Sequence, residues 1–545
     1  MQKSEKVQNV VMHLWAPRIR VIPVVLFATF GLLLTVSCRE SIETSSVEKP
    51  VVESAKPTTQ SLLGAAADLA SKNRSGESGF LLLDRGNQAL AWRTRLADAA
   101  ESSIDAQYFL WKNDDAGKIM MQRLIAAADR GVRVRVLVDD SMTESNPRYL
   151  ATFGAHPNIA VRLYKPFGPK GKSLVMRWLD YASDLKILNR RMHNKVFVVD
   201  GSYAIVGGRN IGNEYFEYIG PFCFRCRDLM AVGPVVNSTS SGFDQYWNSD
   251  WTVPIEDVIS SVPSLEKSQE EWGELAEFST QKDYYPDGFF DLPAGFTAGW
   301  ESIKNQLYWG NARLLIDAVP PIKGQPENRL GFDQTGKTLL KIMNQSEREV
   351  YIQSAYLILL DGGFEALRAA KQRNVKVVLS TNSMASDNHL SAFVGYRKQR
   401  KQMIETGADL FEMRPDDRSE EALFSPALVK EYHTKFGLHA KTMVFDGRYT
   451  FVGSFNVDPR SVNLNTEMGF LVDSRELASA VASSIRNDIA PGNSWQLELT
   501  PKGEIIWVTR REGKITEESK VEPMTNAAER AAADLLLVVP DKSQL

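Results

Sequence analysis

The sequence predicts an α/β fold made of two similar halves, each with a mixed sheet flanked by helices. Two repeated features support this prediction. The order strand, helix, strand occurs once in each half, as expected for parallel strands joined by a crossover helix. A short motif rich in histidine, lysine, aspartate, glycine and asparagine also occurs once in each half. A chain of 545 residues is long enough for about two to four domains, and the repetition narrows the number to two.

The repeated strand–helix–strand order follows from the hydrophobic pattern. In each copy the first strand alternates in polarity, the helix has apolar residues at helical spacing, and the second strand is a nearly continuous apolar run. The three elements are predicted at 103–110, 117–131 and 132–140 in the first half, and at 350–356, 362–374 and 375–382 in the second. Each half is therefore expected to contain parallel strands covered by helices.

The repeated motif keeps one spacing in both halves. Its first copy consists of His193, Lys195, Asp200, Gly207, Gly208 and Asn210, and its second copy consists of His439, Lys441, Asp446, Gly453, Ser454 and Asn456. Each residue of the second copy lies 246 positions after its counterpart, as 439 lies after 193. A single offset across all these positions indicates a duplicated domain.

The residue types of the motif suit the binding of an anion. In a strand, residues two apart point to the same face, so a His-x-Lys segment aims an imidazole and an ammonium at one place. The Asp-Gly pairs at 200–201 and 446–447 are typical of turns, and we expect both aspartates to be structural. The Gly-Gly and Gly-Ser pairs would allow the backbone to approach a ligand closely, and each asparagine offers an amide donor.

Two imidazoles beside one phosphodiester suit a two-step displacement. One histidine attacks phosphorus, while the other protonates the leaving oxygen and then deprotonates the incoming nucleophile. The lysines and asparagines would stabilise the charge on the non-bridging oxygens. Because cationic side chains take that role, and no carboxylates cluster at metal-binding spacing beside the histidines, no metal and no other cofactor is expected.

Both copies fit the pattern H-x-K-x4-D-x6-G-[GS]-x-N, which resembles the motif of the phospholipase D superfamily. The resemblance covers roughly residues 75–510. It implies two α/β sandwich domains related by pseudo-twofold symmetry, with the site at their interface. It also implies a phosphohistidine intermediate, with His193 as the nucleophile and His439 as the general acid/base.

The segments around both motifs are similar to the bacterial cardiolipin synthases of the C subtype. These segments are 189–195, 207–216, 243–248, 438–441 and 455–469. The similarity implies transfer of a phosphatidyl group to the headgroup hydroxyl of phosphatidylglycerol, from a second phosphatidylglycerol or from phosphatidylethanolamine. The expected partners are therefore membrane phospholipids and the membrane surface, and the expected state is a monomer.

Two other activities are compatible with the same motif. A phospholipase D hydrolase would use water as the acceptor and release phosphatidic acid, and the exclusion of water from the pocket would decide between hydrolysis and transfer. A nucleic-acid phosphodiesterase is the second alternative. The chain has 64 basic and 67 acidic residues and a formal net charge of −3, which does not favour a nucleic-acid partner.

Members of the superfamily also have an acid that orients each imidazole. This resemblance suggests Glu467 for that role in the second half and Asp228 in the first. Such a carboxylate accepts a hydrogen bond from the ring nitrogen that does not react. For Asp228 the alternative is a salt bridge with Arg225 or Arg227.

Three cysteines occur, which is too few for a disulfide scaffold or an all-cysteine zinc site. Cys223 and Cys226 form a C-x-x-C segment, for which a disulfide and two reduced thiols both remain open.

The N-terminal segment predicts a location in the bacterial cell envelope. Residues 21–37 are uncharged and mostly apolar, and they follow a positively charged stretch, as in a secretory signal. The run ends at Ser37-Cys38, which resembles the lipobox of bacterial lipoproteins and makes Cys38 a lipidation candidate, although Thr35 departs from that pattern. An uncleaved anchor helix is the alternative. Both place the body on a membrane, facing away from the cytoplasm.

The sequence predicts six segments. They are a signal, lipoprotein or anchor segment at 1–38, a flexible tether at 39–60, a first domain at 61–260, a linker at 261–310, a second domain at 311–510 and a C-terminal tail helix at 511–545.

Overall fold

Two copies of one α/β unit make up the folded body, as the sequence predicts. The computed structural model describes residues 50–142, 148–165, 190–259, 263–320, 334–416, 423–425 and 427–537. The apolar run at 21–37 and Cys38 lie outside these residues, so the N-terminal predictions stay predictions. No helix within the described ranges is long and apolar enough to cross a membrane.

The first copy has nine strands and five helices among its described residues, and two further helices lead to the second copy. The strands are β1 (Ser78–Leu83), β2 (Ser103–Tyr108), β3 (Arg133–Asp139), β4 (Ile159–Tyr164), β5 (Val196–Val199), β6 (Tyr203–Gly207), β7 (Phe222–Arg225), β8 (Asp228–Val232) and β9 (Thr252–Pro254). The helices are α1 (Leu62–Ser71), α2 (Gly86–Ala99), α3 (Asp115–Asp129), α4 (Arg148–Gly154), α5 (Val235–Trp247), α6 (Leu265–Phe278) and α7 (Gly295–Ile303).

The second copy repeats the order of the strands that form the large sheet, and it adds a hairpin and a helix at its end. Its strands are β10 (Tyr308–Ile316), β11 (Glu349–Ser354), β12 (Lys376–Asn382), β13 (Asp409–Met413), β14 (Lys435–Leu438), β15 (Lys441–Phe445), β16 (Tyr449–Gly453), β17 (Met468–Asp473), β18 (Ser494–Leu499), β19 (Ile505–Arg511) and β20 (Lys514–Ser519). Its α-helices are α8 (Gln334–Gln345), α9 (Asp361–Gln372), α10 (Leu390–Arg397), α11 (Arg400–Glu405), α12 (Pro459–Asn463), α13 (Arg475–Asp488) and α14 (Ala527–Leu537).

Both mixed sheets have the same strand order. In the first, the order is β9-β4-β3-β2-β5-β6-β8-β1, and β2, β3 and β4 are parallel. In the second, the order is β18-β13-β12-β11-β15-β16-β17-β10, and β11, β12 and β13 are parallel. The two sheets join edge to edge, because β1 pairs with β10 in antiparallel register. This matching order confirms the predicted duplication.

The predicted strand–helix–strand units are present in both copies, with ends shifted by a few residues. The helix α3 is shifted by two residues at both ends and begins at Asp115. Asp114 caps this helix, and its side-chain oxygen accepts a hydrogen bond from the Gly117 backbone N–H. This cap fixes the start of the helix within the loop, where the sequence pattern has no apolar residue to mark it.

Four clusters of buried apolar residues occur among the described residues, and the three largest hold the body together. One lies between the first sheet and its outer helices, and a second lies between the second sheet and its helices. The third contains residues of both sheets, such as Val206 and Leu229 from the first and Val452 and Phe470 from the second. In this cluster the Phe80 and Phe470 rings meet edge to face, with centroids 5.7 Å apart. The two halves therefore share one core.

Two of the six predicted segments contain structure that was not predicted, and the boundaries of the six segments stay predictions. Residues 50–60, assigned to the flexible tether, lie against the first copy: Ser54 donates a hydrogen bond to Asp105 at 2.8 Å. The tail at 511–545 begins with the hairpin strand β20, and its helix α14 is held by an Arg397–Asp534 ion pair of 2.6 Å.

The motif aspartates tie one turn to the start of a neighbouring strand in each half. Asp200 is fully buried, and its carboxylate accepts hydrogen bonds from the backbone N–H groups of residues 101, 102 and 103. Asp446 accepts equivalent bonds from residues 347, 348 and 349, on a more exposed surface. Both have a positive φ, of 50° and 54°, which aspartate tolerates better than most residues.

We expect Asp200→Ala to lower the free energy of unfolding by about 3 kcal/mol, because it leaves buried donors without a charged acceptor. Asp446→Ala should cost only about 1 kcal/mol, since water can replace the carboxylate there. Urea titrations followed by tryptophan fluorescence would measure both. Asn at either position, which keeps one acceptor and tolerates a positive φ, is the control. Equal losses for the two alanine variants would contradict this explanation.

Candidate active site

The two motif histidines are held by hydrogen bonds from the opposite half of the chain. The His193 backbone N–H donates to the Thr466 carbonyl at 3.0 Å, just before β17. The His439 backbone N–H donates to the Arg225 carbonyl at 2.8 Å, at the end of β7. Each histidine precedes a buried strand of its own half, β5 or β15. Strands from both halves therefore fix the position of each imidazole.

One cavity of about 820 Å³ brings the repeated motifs together. Its lining includes His193, Asn210, His439 and Asn456, one histidine and one asparagine from each half. Aromatic rings pack on the imidazoles: Phe109 lies 5.2 Å from His193, and Tyr215 and Phe224 lie 5.3 and 4.8 Å from His439, measured between ring centroids. The predicted convergence of the two motifs is thus present in the geometry.

Glu467 lies beside His193, across the boundary between the halves. Its carboxylate is 2.9 Å from His193 Nδ1 and also accepts hydrogen bonds from the Ser454 and Ser461 hydroxyls at 2.5 and 2.8 Å. With Nδ1–H directed at the carboxylate, the proton-free nitrogen of His193 is Nε2. This arrangement leaves a nucleophilic nitrogen on the ring edge away from Glu467.

Burial lowers the proton affinity of His193 and raises that of Glu467. Burial, together with Lys195 and Lys441, holds the pKa of His193 well below its usual value. Burial also raises the pKa of Glu467 to about 7, against the opposing effects of Lys195 and the two serines. His193 is therefore neutral at physiological pH, as attack on phosphorus requires.

The motif lysines place two buried ammonium groups at the site. Lys195 Nζ donates to the His193 carbonyl at 2.6 Å, and Lys441 Nζ donates to the His439 carbonyl at 2.8 Å. Burial lowers the pKa of both lysines, that of Lys441 to about 8. A bound anion would reverse part of this effect, because its charge stabilises the ammonium form.

The two asparagines differ in their contacts. Asn210 is used within the protein: its amide oxygen accepts a bond from the Leu110 N–H, and its amide nitrogen donates to the Tyr215 hydroxyl. The amide oxygen of Asn456 is buried and has no hydrogen-bond partner among the described residues. Asn456 therefore offers an open polar group to a ligand in the cavity.

The motif glycines and Ser454 serve the packing of the protein itself. A Cβ on Gly207 would lie 2.1 Å from the Asp228 carboxylate, and one on Gly453 would lie 2.3 Å from the Met468 carbonyl. One on Gly208 would lie 3.1 Å from the His439 carbonyl. Protein atoms therefore fill the space beside these glycines, where the sequence predicted a close approach of the backbone to a ligand. The Ser454 hydroxyl donates a hydrogen bond to Glu467.

Asp228 does not lie beside a catalytic imidazole. It is fully buried, and its carboxylate forms ion pairs with Arg93 at 2.9 Å and Arg209 at 3.4 Å. Arg93 and Arg209 hold the pKa of Asp228 below its usual value, although burial acts in the opposite direction. The prediction that Asp228 orients a histidine is therefore wrong, and so is the alternative pairing with Arg225 or Arg227.

Cys226 lies where the sequence analysis expected an acid. Its Sγ is 3.5 Å from His439 Nδ1, and both side chains are buried. Cys223 and Cys226 are both free thiols, so the structure has the reduced alternative. This contact could not be predicted from the sequence, because the interval between Asn210 and Cys226 differs from that between Asn456 and Glu467.

A buried ion-pair cluster near the site was also missed. Arg225 and Arg227 both pair with Asp488, at the end of α13, and with Asp84, after β1. The Ser484 hydroxyl joins this cluster by donating to Asp84 at 2.6 Å. The cluster ties the segment that holds His439 to both halves. From the sequence, Arg225 and Arg227 were considered only as partners of Asp228.

Comparison with known proteins agrees with this geometry. The family described as "Cardiolipin synthase, PLD-like domain" matches the chain twice, at residues 94–247 and 339–489. The chain belongs to the cardiolipin synthase-like phospholipase D family. Both matched segments contain one copy of the motif, which confirms the family and the enzyme class that the motifs predict.

Relatives of known name cover most of the chain. It is 34% identical to cardiolipin synthase C of Escherichia coli over 486 residues, which is 88% of this chain and 98% of the relative. It is 25% identical to a cardiolipin synthase of Staphylococcus aureus over 421 residues, 76% of this chain and 67% of the relative. A crystal structure of phosphatidylserine synthase from Haemophilus influenzae has a similar fold, with a TM-score of 0.50, 12% identity, and coverage of 79% of this chain and 92% of that one.

We expect the activity of this phospholipase D family member to depend on the charge of Glu467. Below about pH 7 the carboxylate of Glu467 takes up a proton and loses its negative charge, so its hydrogen bond with His193 Nδ1 weakens. We therefore expect kcat/KM to fall toward acid pH, with an inflection near pH 7. Glu467→Gln should lower kcat/KM at least about tenfold and remove that inflection.

The matched control is Glu365→Gln, an exposed position on α9. It should keep both the rate and the pH profile of the natural protein. An acid-side inflection that survives in Glu467→Gln would show that another group controls the activity.

Proposed function

We propose that the protein forms cardiolipin from phosphatidylglycerol and a second phospholipid, through a phosphohistidine intermediate. The observation that carries this proposal is the single cavity that contains both motif histidines and both motif asparagines. One half supplies the neutral, carboxylate-supported imidazole of His193, and the other supplies the imidazole of His439. Family membership agrees with transfer of a phosphatidyl group between phospholipids.

In the first step His193 Nε2 attacks the phosphorus of the donor lipid. The new P–N bond forms as the bond from phosphorus to the headgroup oxygen breaks. Burial and the nearby lysines lower the pKa of His439, and the negative charge of the bound phosphodiester opposes this effect, so that a protonated His439 gives its proton to the headgroup oxygen. The headgroup leaves as glycerol or ethanolamine. The buried charges of Lys195 and Lys441 stabilise the non-bridging oxygens while phosphorus is five-coordinate.

In the second step the acceptor replaces the histidine. His439 removes the proton from the headgroup hydroxyl of phosphatidylglycerol, whose oxygen attacks phosphorus as the P–N bond breaks. The product is cardiolipin, and His193 returns to its neutral form. The amide oxygen of Asn456, which has no partner among the described residues, is suited to accept a hydrogen bond from a hydroxyl group of the headgroup.

Apolar side chains around the cavity support a lipid substrate. Ile219 lines the cavity and is 50% exposed, and Leu390, 37% exposed, lies between two further lining residues. Phe222 and Tyr356 also line it and are half-buried. Exposed apolar groups beside a polar cavity suit an enzyme that works on a membrane surface. We propose that surface to be in the cell envelope, outside the cytoplasm.

Incubation of the full-length protein with phosphatidylglycerol vesicles should produce cardiolipin and glycerol in equal amounts. His193→Ala and His439→Ala should each lower turnover at least about 100-fold, because each half supplies one reacting group. His433→Asn, an exposed position outside the cavity, is the matched histidine control and should keep the rate. Chromatography of the lipid products checks all of these. Phosphatidic acid without cardiolipin would mean that the protein is a hydrolase.

Lipidation of Cys38 should anchor the protein to the membrane. Cells fed labelled fatty acid should incorporate label into the natural protein and into Cys223→Ser, but not into Cys38→Ser. Cys38→Ser should also leave the membrane fraction, since loss of an acyl anchor weakens membrane binding strongly. An unlabelled natural protein that stays with the membrane would favour the anchor helix instead.

A further inference from the structure

The surroundings of the two histidines share one geometry and differ in one residue. In each case the backbone N–H donates to the carbonyl of a residue in the other half, and Nδ1 faces the next residue along that chain segment. For His193 the facing residue is Glu467, with 2.9 Å between Nδ1 and the carboxylate. For His439 it is Cys226, with 3.5 Å between Nδ1 and Sγ. A thiol thus stands in one half where a carboxylate stands in the other.

Strand register gives the same equivalence independently. Gly207 lies opposite Asp228 in the first sheet, and Gly453 lies opposite Gly469 in the second. Cys226 lies two positions before Asp228, and Glu467 lies two positions before Gly469. The residues that face the two imidazoles therefore occupy the same register position in the two halves. The contact with His439 therefore follows from the duplicated fold and is not an accidental approach of one side chain.

We propose that Cys226 is the positioning residue of His439, in the place that Glu467 takes at His193, and that its uncharged sulfur makes the two imidazoles chemically unequal. The contact itself does not depend on the reaction. The consequence for catalysis rests on the proposed function.

The chemical difference comes from charge. A carboxylate beside Nδ1 stabilises a positive ring, whereas a neutral thiol fixes the ring direction with far less effect on its charge. Burial raises the pKa of Cys226 to about 11, so the thiol is uncharged at neutral pH. His193, next to a carboxylate, is suited to carry the positively charged phosphohistidine. His439, next to a thiol, is suited to release its proton to a leaving oxygen.

The charged groups around this pair favour a carboxylate as a test substitution. Those near His439 are Lys441, Lys195, His193 and His389, and those near Cys226 are Arg209, Lys441, Asp228 and Arg225. All but Asp228 are basic. An aspartate at position 226 would therefore enter a largely cationic environment, where burial of a negative charge is tolerated.

The decisive experiment is ¹⁵N-histidine NMR of the full-length protein and of Cys226→Asp. The chain has 6 histidines, so few signals occur, and loss of a signal in His439→Gln assigns that residue. Cys226→Asp should raise the protonated fraction of His439 Nδ1 and raise the pKa of His439 by about one unit or more, as expected for a nearby opposite charge. The signals of His193 should not move.

Kinetics with phosphatidylglycerol vesicles supply the second readout. Cys226→Ala should lower kcat about tenfold with KM unchanged, since it removes a group that orients the ring but does not touch substrate. Cys226→Ser, which keeps a donor and acceptor, should restore most of that loss. Cys223→Ala is the matched control, because that thiol contacts the Tyr218 carbonyl and not an imidazole, and it should leave kcat unchanged.

Three outcomes separate this inference from the proposed function. If His439 keeps its pKa and Nδ1 protonation in folded Cys226→Asp, the inference is overturned. If that variant does not fold, an unchanged kcat in Cys226→Ala overturns it. If the natural protein makes no cardiolipin, the proposed function fails, and the NMR result alone then supports or overturns the role of Cys226.

Discussion

The hydrogen bond from each histidine backbone to the opposite half is the contact on which the site depends. A single half contains a complete motif, but the direction of its imidazole is set by a residue that arrives from the other half. The shared apolar core and the pairing of β1 with β10 hold the halves in the register that these bonds need. Stability and chemistry are therefore not separable here, because one interface provides both.

The site combines buried positive charge with a carboxylate, that of Glu467, which faces one of the two imidazoles. Lys195, Lys441 and the two imidazoles are buried, as is Glu467, and burial pushes each group toward its neutral form. A phosphodiester would add the missing negative charge. Its arrival would favour the ammonium forms and a protonated imidazole together, so that binding of the substrate would itself prepare the site for reaction.

Much of this fold and site could be predicted from the sequence, because a pattern that occurs at the same spacing in both halves is unlikely to arise by chance. The hydrophobic pattern predicted the sheet units, the family resemblance implied the convergence of the histidines, and the Asp-Gly turn predicted the structural role of Asp200. The acid assignment was wrong in the first half, because the segment that follows the motif differs in length between the copies. Asp228 was predicted from the family resemblance, and only strand pairing shows that position 226 is the counterpart of Glu467. The edge pairing of the two sheets left no local signal in the sequence.

Glu467 contacts the histidine of the first half and Cys226 contacts that of the second, and this exchange between halves constrains which substitutions the chain can accept. Each reacting imidazole and the side chain behind it belong to different copies of the duplicated domain, so neither copy can change its support without altering the other's chemistry. A replacement at position 467 or 226 therefore acts on the histidine of the other copy, His193 or His439, and not on the histidine of its own half. The two histidines thus differ in the residue that faces Nδ1, although one shared core holds both in place.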